Sequence, residues 1–379
     1  MRVTARGWAL LAAGPALLVP GFLYGYPELA VLGAVALAAF VVAVAIVSLR
    51  ARLDVQRILD PDRVTRGEPS TVYLSIRNDN KFRNMTVVAS DRCGETTVPV
   101  PLLKLRRGTQ TRTVYPVPTS RRGVIEVGPL RITRTDPLGL ATVPRSYGES
   151  GRVWVHPVAH PIRAVPAGIA RSLDGRTDQI PHGHVSFETL REYVVGDDLR
   201  RVHWRTSARI GELMVKEHTD TSLPVMVVVL DDRSSVHTEQ SFEEACEAAA
   251  SVVIASLTDG LYVRLRLSSG KEVSGKDSRN AFLDLLSEAS LQPDQPGGVQ
   301  PTVDGLRIGR LGDTLIYLTG PGGAEDIRQV ATLKGAYPVI VAGVLGDADA
   351  QPTAAPGLLV LSAADAGEFA AAWDGVGTW

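Results

Sequence analysis

Two long apolar stretches open the chain, Trp8 to Tyr26 and Leu29 to Leu49, and neither contains a charged residue. Each reaches the ~20 residues a helix needs to cross a bilayer core. Only Pro27 and Glu28 separate them, so the pattern predicts two antiparallel neighbouring helices, because unpaired amides are costly in lipid. Arg2 and Arg6 precede the first stretch, Arg50, Arg52 and Arg57 follow the second, and the turn carries neither Lys nor Arg. The positive-inside rule then puts both chain ends in the cytoplasm. Trp8, Tyr24 and Tyr26 lie near the ends of the first span, where interfacial aromatics sit. A cleaved signal peptide also begins with arginines and an apolar run, but here the second run follows too closely for a normal cleavage site. A single retained span is the remaining alternative.

From about residue 53 to 160 the period changes to two, as in Val72, Leu74 and Ile76 with Tyr73, Ser75 and Arg77 between them. Alternation marks half-buried strands. Further strands are expected at Met85 to Ala89, Thr111 to Val117, Gly123 to Val127, Leu130 to Thr133 and Arg152 to His156. Turn residues interrupt them at Asn78-Asp79-Asn80, Arg107-Gly108, Arg122-Gly123, Asp136-Pro137 and Gly139. Many short strands with frequent turns predict a β-sandwich of immunoglobulin-like size. It is read as a spacer holding the next domain off the membrane, with a binding module as the alternative.

Residues 161–217 are expected to link the domains. Pro157 to Val185 reads as an exposed loop, and His156, His160, His182 and His184 lie in or near it without carboxylates or thiols at ligand spacing. Beyond the link, β-branched Val225 to Leu230 reads as a buried parallel strand ending at Asp231-Asp232. Helices are expected at Phe242 to Leu257, Ala281 to Ala289, Ala324 to Leu333 and Ala363 to Trp373. Strands are expected at Leu261 to Leu267, Thr314 to Leu318, Pro338 to Val344 and Gly357 to Leu361. Strands alternating with helices imply a doubly wound α/β sheet over 218–379. The expected layout is therefore multidomain: a transmembrane helical hairpin (1–52), a β-sandwich (53–160), the link, and the α/β domain.

Composition narrows the function. Net charge is −1, so bulk electrostatics do not favour a polyanion and no nucleic-acid partner is expected. Mean hydropathy of +0.06 reflects the N-terminal stretches. Cys93 and Cys246 share no motif and form neither a disulfide framework nor a zinc site. The densest charge lies between Phe187 and Arg209. Gly196 ends one element there, and Asp197 or Asp198 can cap a helix carrying Arg200, Arg201, His203, Trp204 and Arg205. The arginines are nearly balanced by Glu188, Glu192, Asp197 and Asp198, so internal pairing explains them. A protein-docking surface and a phosphate or nucleic-acid site are the alternatives.

Arg191-Glu192-Tyr193, Gly196-Asp197-Asp198, Arg200-Arg201, His203-Trp204, Ala208-Arg209 and Leu213-Met214-Val215-Lys216-Glu217 resemble the signature of the "domain of unknown function 58" proteins. Arg122-Gly123, Gly128-Pro129-Leu130, Asp136-Pro137-Leu138-Gly139-Leu140 and the N-terminal hairpin are also similar to that family. The resemblance implies a von Willebrand factor A-like C-terminal domain and association with MoxR-type AAA+ ATPases. It also implies a place to look for a metal. A-type domains hold a divalent cation with Asp-x-Ser-x-Ser, a distant Thr and a further Asp, oxygen ligands that suit Mg²⁺. This chain has Asp231-Asp232-Arg233-Ser234-Ser235 and later Thr319-Gly320-Pro321. Arg233 stands where the first serine belongs, Val236 disrupts the other register, and the second aspartate is missing after Thr319. The site (Asp231, Asp232, Ser234, Ser235, Thr319) is read as degraded, and no cofactor is expected. A guanidinium at position 233 would repel a cation and pair with Asp231 or Asp232. No phosphate loop and no nucleophile–base–acid spacing is present. The expected function is a membrane-tethered cytoplasmic interaction module, partnered by a MoxR-type ATPase and by membrane proteins of the envelope. A metal-dependent adhesion site or enzyme at Asp231 is the alternative, and a nucleic-acid binder the weaker one.

Overall fold

The computed structural model describes residues 1–48, 53–79, 85–105, 108–163, 165, 188–192, 204–218, 225–294, 296–309, 312–346 and 358–376. The chain divides into two compact units, Met1–His156 and Pro157–Trp379.

The first unit begins with a two-residue strand, β1 (Arg2–Val3), followed by helices α1 (Ala5–Leu23) and α2 (Pro27–Ser48). By length and apolarity both helices are able to cross a membrane. Thr4 caps α1, its Oγ1 accepting from the Gly7 amide. The two helices touch where side chains are missing. A Cβ on Gly14 would lie 2.7 Å from Leu37, one on Gly21 2.5 Å from the Ala30 amide, and one on Gly33 2.6 Å from the Gly14 carbonyl. Small residues let membrane helices approach closely in this way.

The strands that follow are β2 (Leu53–Asp60), β3 (Arg63–Thr65), β4 (Ser70–Asn78), β5 (Met85–Cys93), β6 (Thr96–Leu105) and β7 (Gln110–Val117). They continue as β8 (Gly123–Val127), β9 (Leu130–Thr135), β10 (Ala141–Tyr147) and β11 (Gly151–His156). One sheet has the order β2-β4-β7; the other runs β1-β10-β9-β5-β8-β11-β3, with β6 on β5. Alternate residues of both sheets, among them Val72, Leu74, Ile76, Val87, Ile132 and Val153, share a single apolar core. This is the layering of a sandwich.

Five strands beyond the expected set, β1, β2, β3, β6 and β10, complete the sheets. Pro99 and Pro101 in β6 and Pro144 in β10 break the strand signal. Among the described residues β6 pairs only with β5, and β10 is flanked on one side only by the two-residue β1, so the missing amides cost little. Inside the core, Arg57 donates to Asp91 Oδ2 at 2.6 Å, with both side chains almost fully buried, and the Tyr115 hydroxyl donates to the same oxygen.

In the second unit an antiparallel ribbon joins β12 (Glu188–Glu192) to β13 (Met214–His218), with helix α3 (Trp204–Ile210) between them in sequence. The link of the sequence reading thus contains regular structure. Then come β14 (Val225–Leu230), α4 (Glu239–Thr258), β15 (Tyr262–Leu267), β16 (Glu272–Gly275), α5 (Arg279–Glu288), α6 (Gln300–Gly309) and β17 (Thr314–Thr319). The remainder is α7 (Ile327–Ala331), β18 (Val339–Leu345), β19 (Leu359–Ala363) and α8 (Ala366–Asp374).

The six strands lie in the order β16-β15-β14-β17-β18-β19, all parallel except the antiparallel edge strand β16. Counted from β14, this is the 3-2-1-4-5-6 order of a doubly wound sheet. Residues of α4, α5 and α8 pack on one face, and residues of α6 with Val330 and Leu333 pack on the other. The helix expected at Ala324 to Leu333 is only five residues of α-helix, flanked by 3-10 turns at Pro321–Gly323 and Thr332–Gly335. The histidines nearest the link are not exposed-loop residues where described. His156 is buried, and His160 packs against α4, its Nε2 3.2 Å from Glu247 Oε2. His182 and His184 lie outside the described residues.

Candidate functional site

A doubly wound sheet binds ligands beyond the carboxyl ends of its strands, at the point where the strand order reverses. Here that point falls between β14 and β17. Chain from β14 delivers Asp231, Asp232 and Arg233 to it, the end of β17 delivers Tyr317 and Thr319, and the end of β15 delivers Ser268 and Ser269.

Asp231 is fully buried and heavily bonded. Arg233 Nε and Nη2 donate to its two oxygens at 2.9 and 2.6 Å, a bidentate pair. Tyr317 donates its hydroxyl to Asp231 Oδ2 at 2.6 Å, Thr319 to the same oxygen at 3.2 Å, and Ser268 to Oδ1 at 3.2 Å. Arg233 Nη2 reaches further, to Asp326 Oδ2 at 2.5 Å. The guanidinium therefore ties the end of β14 to the residue before α7. Asp232 faces the neighbouring strand end, accepting from Ser268 Oγ at 2.5 Å and from the Ser269 amide at 2.9 Å.

Burial opposes ionisation of Asp231, but hydrogen bonds from Arg233 and Tyr317 and the Arg233 charge outweigh it and hold the carboxyl below its ordinary 3.8. The stability this confers is present above pH 3.8 and is lost as pH falls through the depressed value. The bonds to Asp231 and Asp326 hold Arg233 cationic. Burial and the Asp231 carboxylate raise the Tyr317 phenol well above 10.0. Burial is also the main cause of the lowered basicity of His237, which lies 3.2 Å from Ser241 Oγ.

These donors do not fit a divalent cation, because both oxygens of Asp231 are taken by Arg233. Ser234 and Ser235, the other residues of the loop, do not join Asp231. The Ser234 amide donates to the Gln292 carbonyl at 2.8 Å, and the Ser235 amide to Asp294 Oδ1 at 3.3 Å. A small cleft beside Arg233, lined by Asp232, Ser268, Ser269, Gln292 and Gly298, offers about 20 Å³ to a water-sized guest. That is room for about one water.

The signature segment is described only in part. Arg191 and Glu192 pair with Val215 and Met214 across the β12–β13 ribbon. Trp204 opens α3 and is 63% exposed, and Arg205 follows it in the helix. Ser207 Oγ accepts from the Met214 amide at 2.8 Å, fixing α3 to the start of β13. Gly196, Asp197, Asp198, Arg200, Arg201 and His203, with the expected helix cap, lie outside the described residues.

Tyr317, Asp326 and Ser268 are part of the site and were not singled out in the sequence. A signal existed for two of them. Tyr317 stands two residues before Thr319, on the same face of its strand, and Ser268 directly follows the strand beside β14.

Residues 189–307 match the model of the family described as "Protein of unknown function DUF58". No curated protein matches the chain. Among solved structures, the CARDB domain of a Pyrococcus furiosus protein in complex with di-metal ions is 12% identical. That match covers 28% of this chain and 93% of the other, with a TM-score of 0.22. A Listeria innocua beta-glucosidase, also 12% identical, matches 28% of this chain and 16% of its own, with a TM-score of 0.19. The putative ApaA protein from Bordetella pertussis matches at 12% identity over 28% of this chain and 94% of its own, with a TM-score of 0.19. Likenesses at these scores carry no weight for fold or function. The ribbon with Arg191 and Glu192, the exposed Trp204 and the Asp231–Arg233 pair all fall in residues 189–307, the part of the chain that matches the DUF58 family.

Proposed function

We propose that this chain is a membrane-tethered interaction module with no catalytic chemistry of its own, working at the cytoplasmic face. In this reading its partner is a MoxR-type AAA+ ATPase, and its task is assembly or remodelling of membrane and envelope proteins. The same reading makes the C-terminal unit von Willebrand factor A-like, supported by the strand order with its antiparallel third strand at the edge. The two N-terminal helices and their flanking arginines support the tether. The partner rests on the resemblance of the signature segment.

The observation that carries the proposal is the pair at the switch point. In the place where an A-type scaffold holds a cation, this chain puts its own guanidinium, with both Asp231 oxygens engaged. A site closed by an internal ion pair suits recognition rather than turnover. Trp204, large and exposed on α3, is the kind of residue that anchors an interface centre.

The test is affinity capture from membranes with the full chain, with and without ATP. A AAA+ ATPase is expected among the retained proteins in a nucleotide-dependent way, and is expected to be lost from Trp204→Ala while its melting temperature is unchanged. A stable Trp204→Ala protein that still retains the ATPase would remove α3 from the interface. A large rise in melting temperature with Mg²⁺ or Mn²⁺ that Asp231→Ala abolishes would replace this reading with a metal-dependent one.

A further inference from the structure

The turn Asp136–Leu140 is built with unusual care for a surface loop. Asp136 is buried, and its carboxylate accepts from three amides, Leu138 at 2.8 Å and Leu140 and Ala141 at 2.7 Å each. A side chain that closes a turn in this way fixes the backbone around it. Yet the turn presents Leu138 outward, 58% exposed. A rigid turn that holds an apolar side chain in the open has no purpose within the sandwich core.

Its neighbours give the purpose. The turn is fastened to the first turn of α1. Thr4 donates its amide to the Leu140 carbonyl at 3.0 Å and its hydroxyl to the Gly139 carbonyl at 2.6 Å. Gly7 packs so closely that a Cβ there would lie 2.2 Å from the Leu140 oxygen. Residues 139–140 are thus level with residues 4–7 of the helix, and Trp8 follows Gly7 by ~1.5 Å of rise. Trp8 is 61% exposed at the end of a span, the depth at which aromatic belts sit. Basic groups surround the same level. Arg2 and Arg6 are exposed, and Arg145 donates to the Ser48 carbonyl at the end of α2 at 3.2 Å.

We infer that the Asp136–Leu140 turn is a membrane-interface wedge. Leu138 enters the headgroup zone of an anionic phospholipid leaflet beside Trp8, while Arg2, Arg6 and Arg145 meet the lipid phosphates. The wedge and the hairpin together form one rigid attachment, so the first unit meets the bilayer with a fixed face. The inference rests on the reading of α1 and α2 as membrane spans.

The test is a depth measurement on the full chain in bilayers of phosphatidylcholine with phosphatidylglycerol. Spin labels are placed at Leu138→Cys, at Leu32→Cys within α2, and at Ile58→Cys on β2. Ile58 is an exposed apolar residue of the other sheet, 65% exposed, and controls for exposure alone. Cys93 and Cys246 are buried, so labelling of the folded chain is selective. The Leu138 label is expected to favour oxygen over a water-soluble relaxant, at a depth between those of Leu32 and Ile58, and to move outward when phosphatidylglycerol is left out. A Leu138 label as aqueous as Ile58, with Leu32 still in the acyl region, overturns the wedge and leaves the spans standing. An aqueous label at Leu32 overturns both. A Leu138 depth that does not respond to phosphatidylglycerol overturns the role given to the arginines.

Discussion

Asp91 is the residue on which the first unit's buried charge depends. It holds Arg57 at 2.6 Å and accepts from the Tyr115 hydroxyl, and burial with the nearby Asp91 pushes the Cys93 thiol up to about 11. Asp91→Ala strands the Arg57 guanidinium without its carboxylate, and chemical denaturation of the full chain is expected to show a loss of ~3–5 kcal/mol. His237 gives a second residue-scale outcome. Its basicity is lowered below 6.5 in the fold, chiefly by burial, so the unfolded chain binds more protons in the interval beneath that value. Stability therefore falls as pH drops below 6.5 and levels off beneath the folded pKa. His237→Gln is expected to flatten that slope, measured as melting temperature on either side of 6.5. At this scale the sequence showed where to look but not what would meet. Asp231 and Arg233 were visible because a buried strand visibly ends at them. Tyr317 and Asp326 were not, because they reach Asp231 and Arg233 from 86 and 93 residues away respectively, a distance no local pattern spans.

Elements were legible where burial is one-sided and continuous. β4 alternates buried and outward residues from Ser70 to Asn78, and β14 is buried at every position after Val225; both stood out as strands. β6 did not, because prolines tolerated at a sheet edge interrupt its pattern. The helix α6 did not either, since Pro301 and Gly305 dilute its apolar face of Val303 and Leu306. The hairpin was visible as two apolar helices, while the means of joining them was not read. Gly7, Gly14 and Gly21 recur every seventh residue along α1, and each of the three is buried. Gly33→Leu would put a side chain where the Gly14 carbonyl and the Leu18 amide lie within 2.7 Å of a Cβ. The expected outcome is separation of α1 from α2, seen as loss of a disulfide engineered between the helices near Gly21 and Ala30. The same substitution at Val35, which is exposed to the surroundings of the hairpin, is expected to leave that crosslink intact.

For the whole molecule the arginine asymmetry makes a sidedness prediction. Glu28→Cys is expected to label from outside and a cysteine added after Trp379 only from the cytoplasmic side; finding both outside would restore the signal-peptide alternative. The sequence was divided where its period changes from two to alternating strands and helices, and the chain groups into the compact units Met1–His156 and Pro157–Trp379. The sequence did not reveal that the chain's first residues belong to the sandwich. Arg2 pairs with Thr142 and Val3 with Ala141, and this pairing sets an order in time. Synthesis adds ~5–20 residues per second, so the strand that receives β1 leaves the ribosome on the order of ten seconds after β1 itself. By then both apolar helices have already emerged and are available to the membrane. In the membrane-tethered reading, the N-terminal strand waits at the bilayer surface for its partner, and the β1–β10 pairing is a closing step that is complete only once the hairpin is in place.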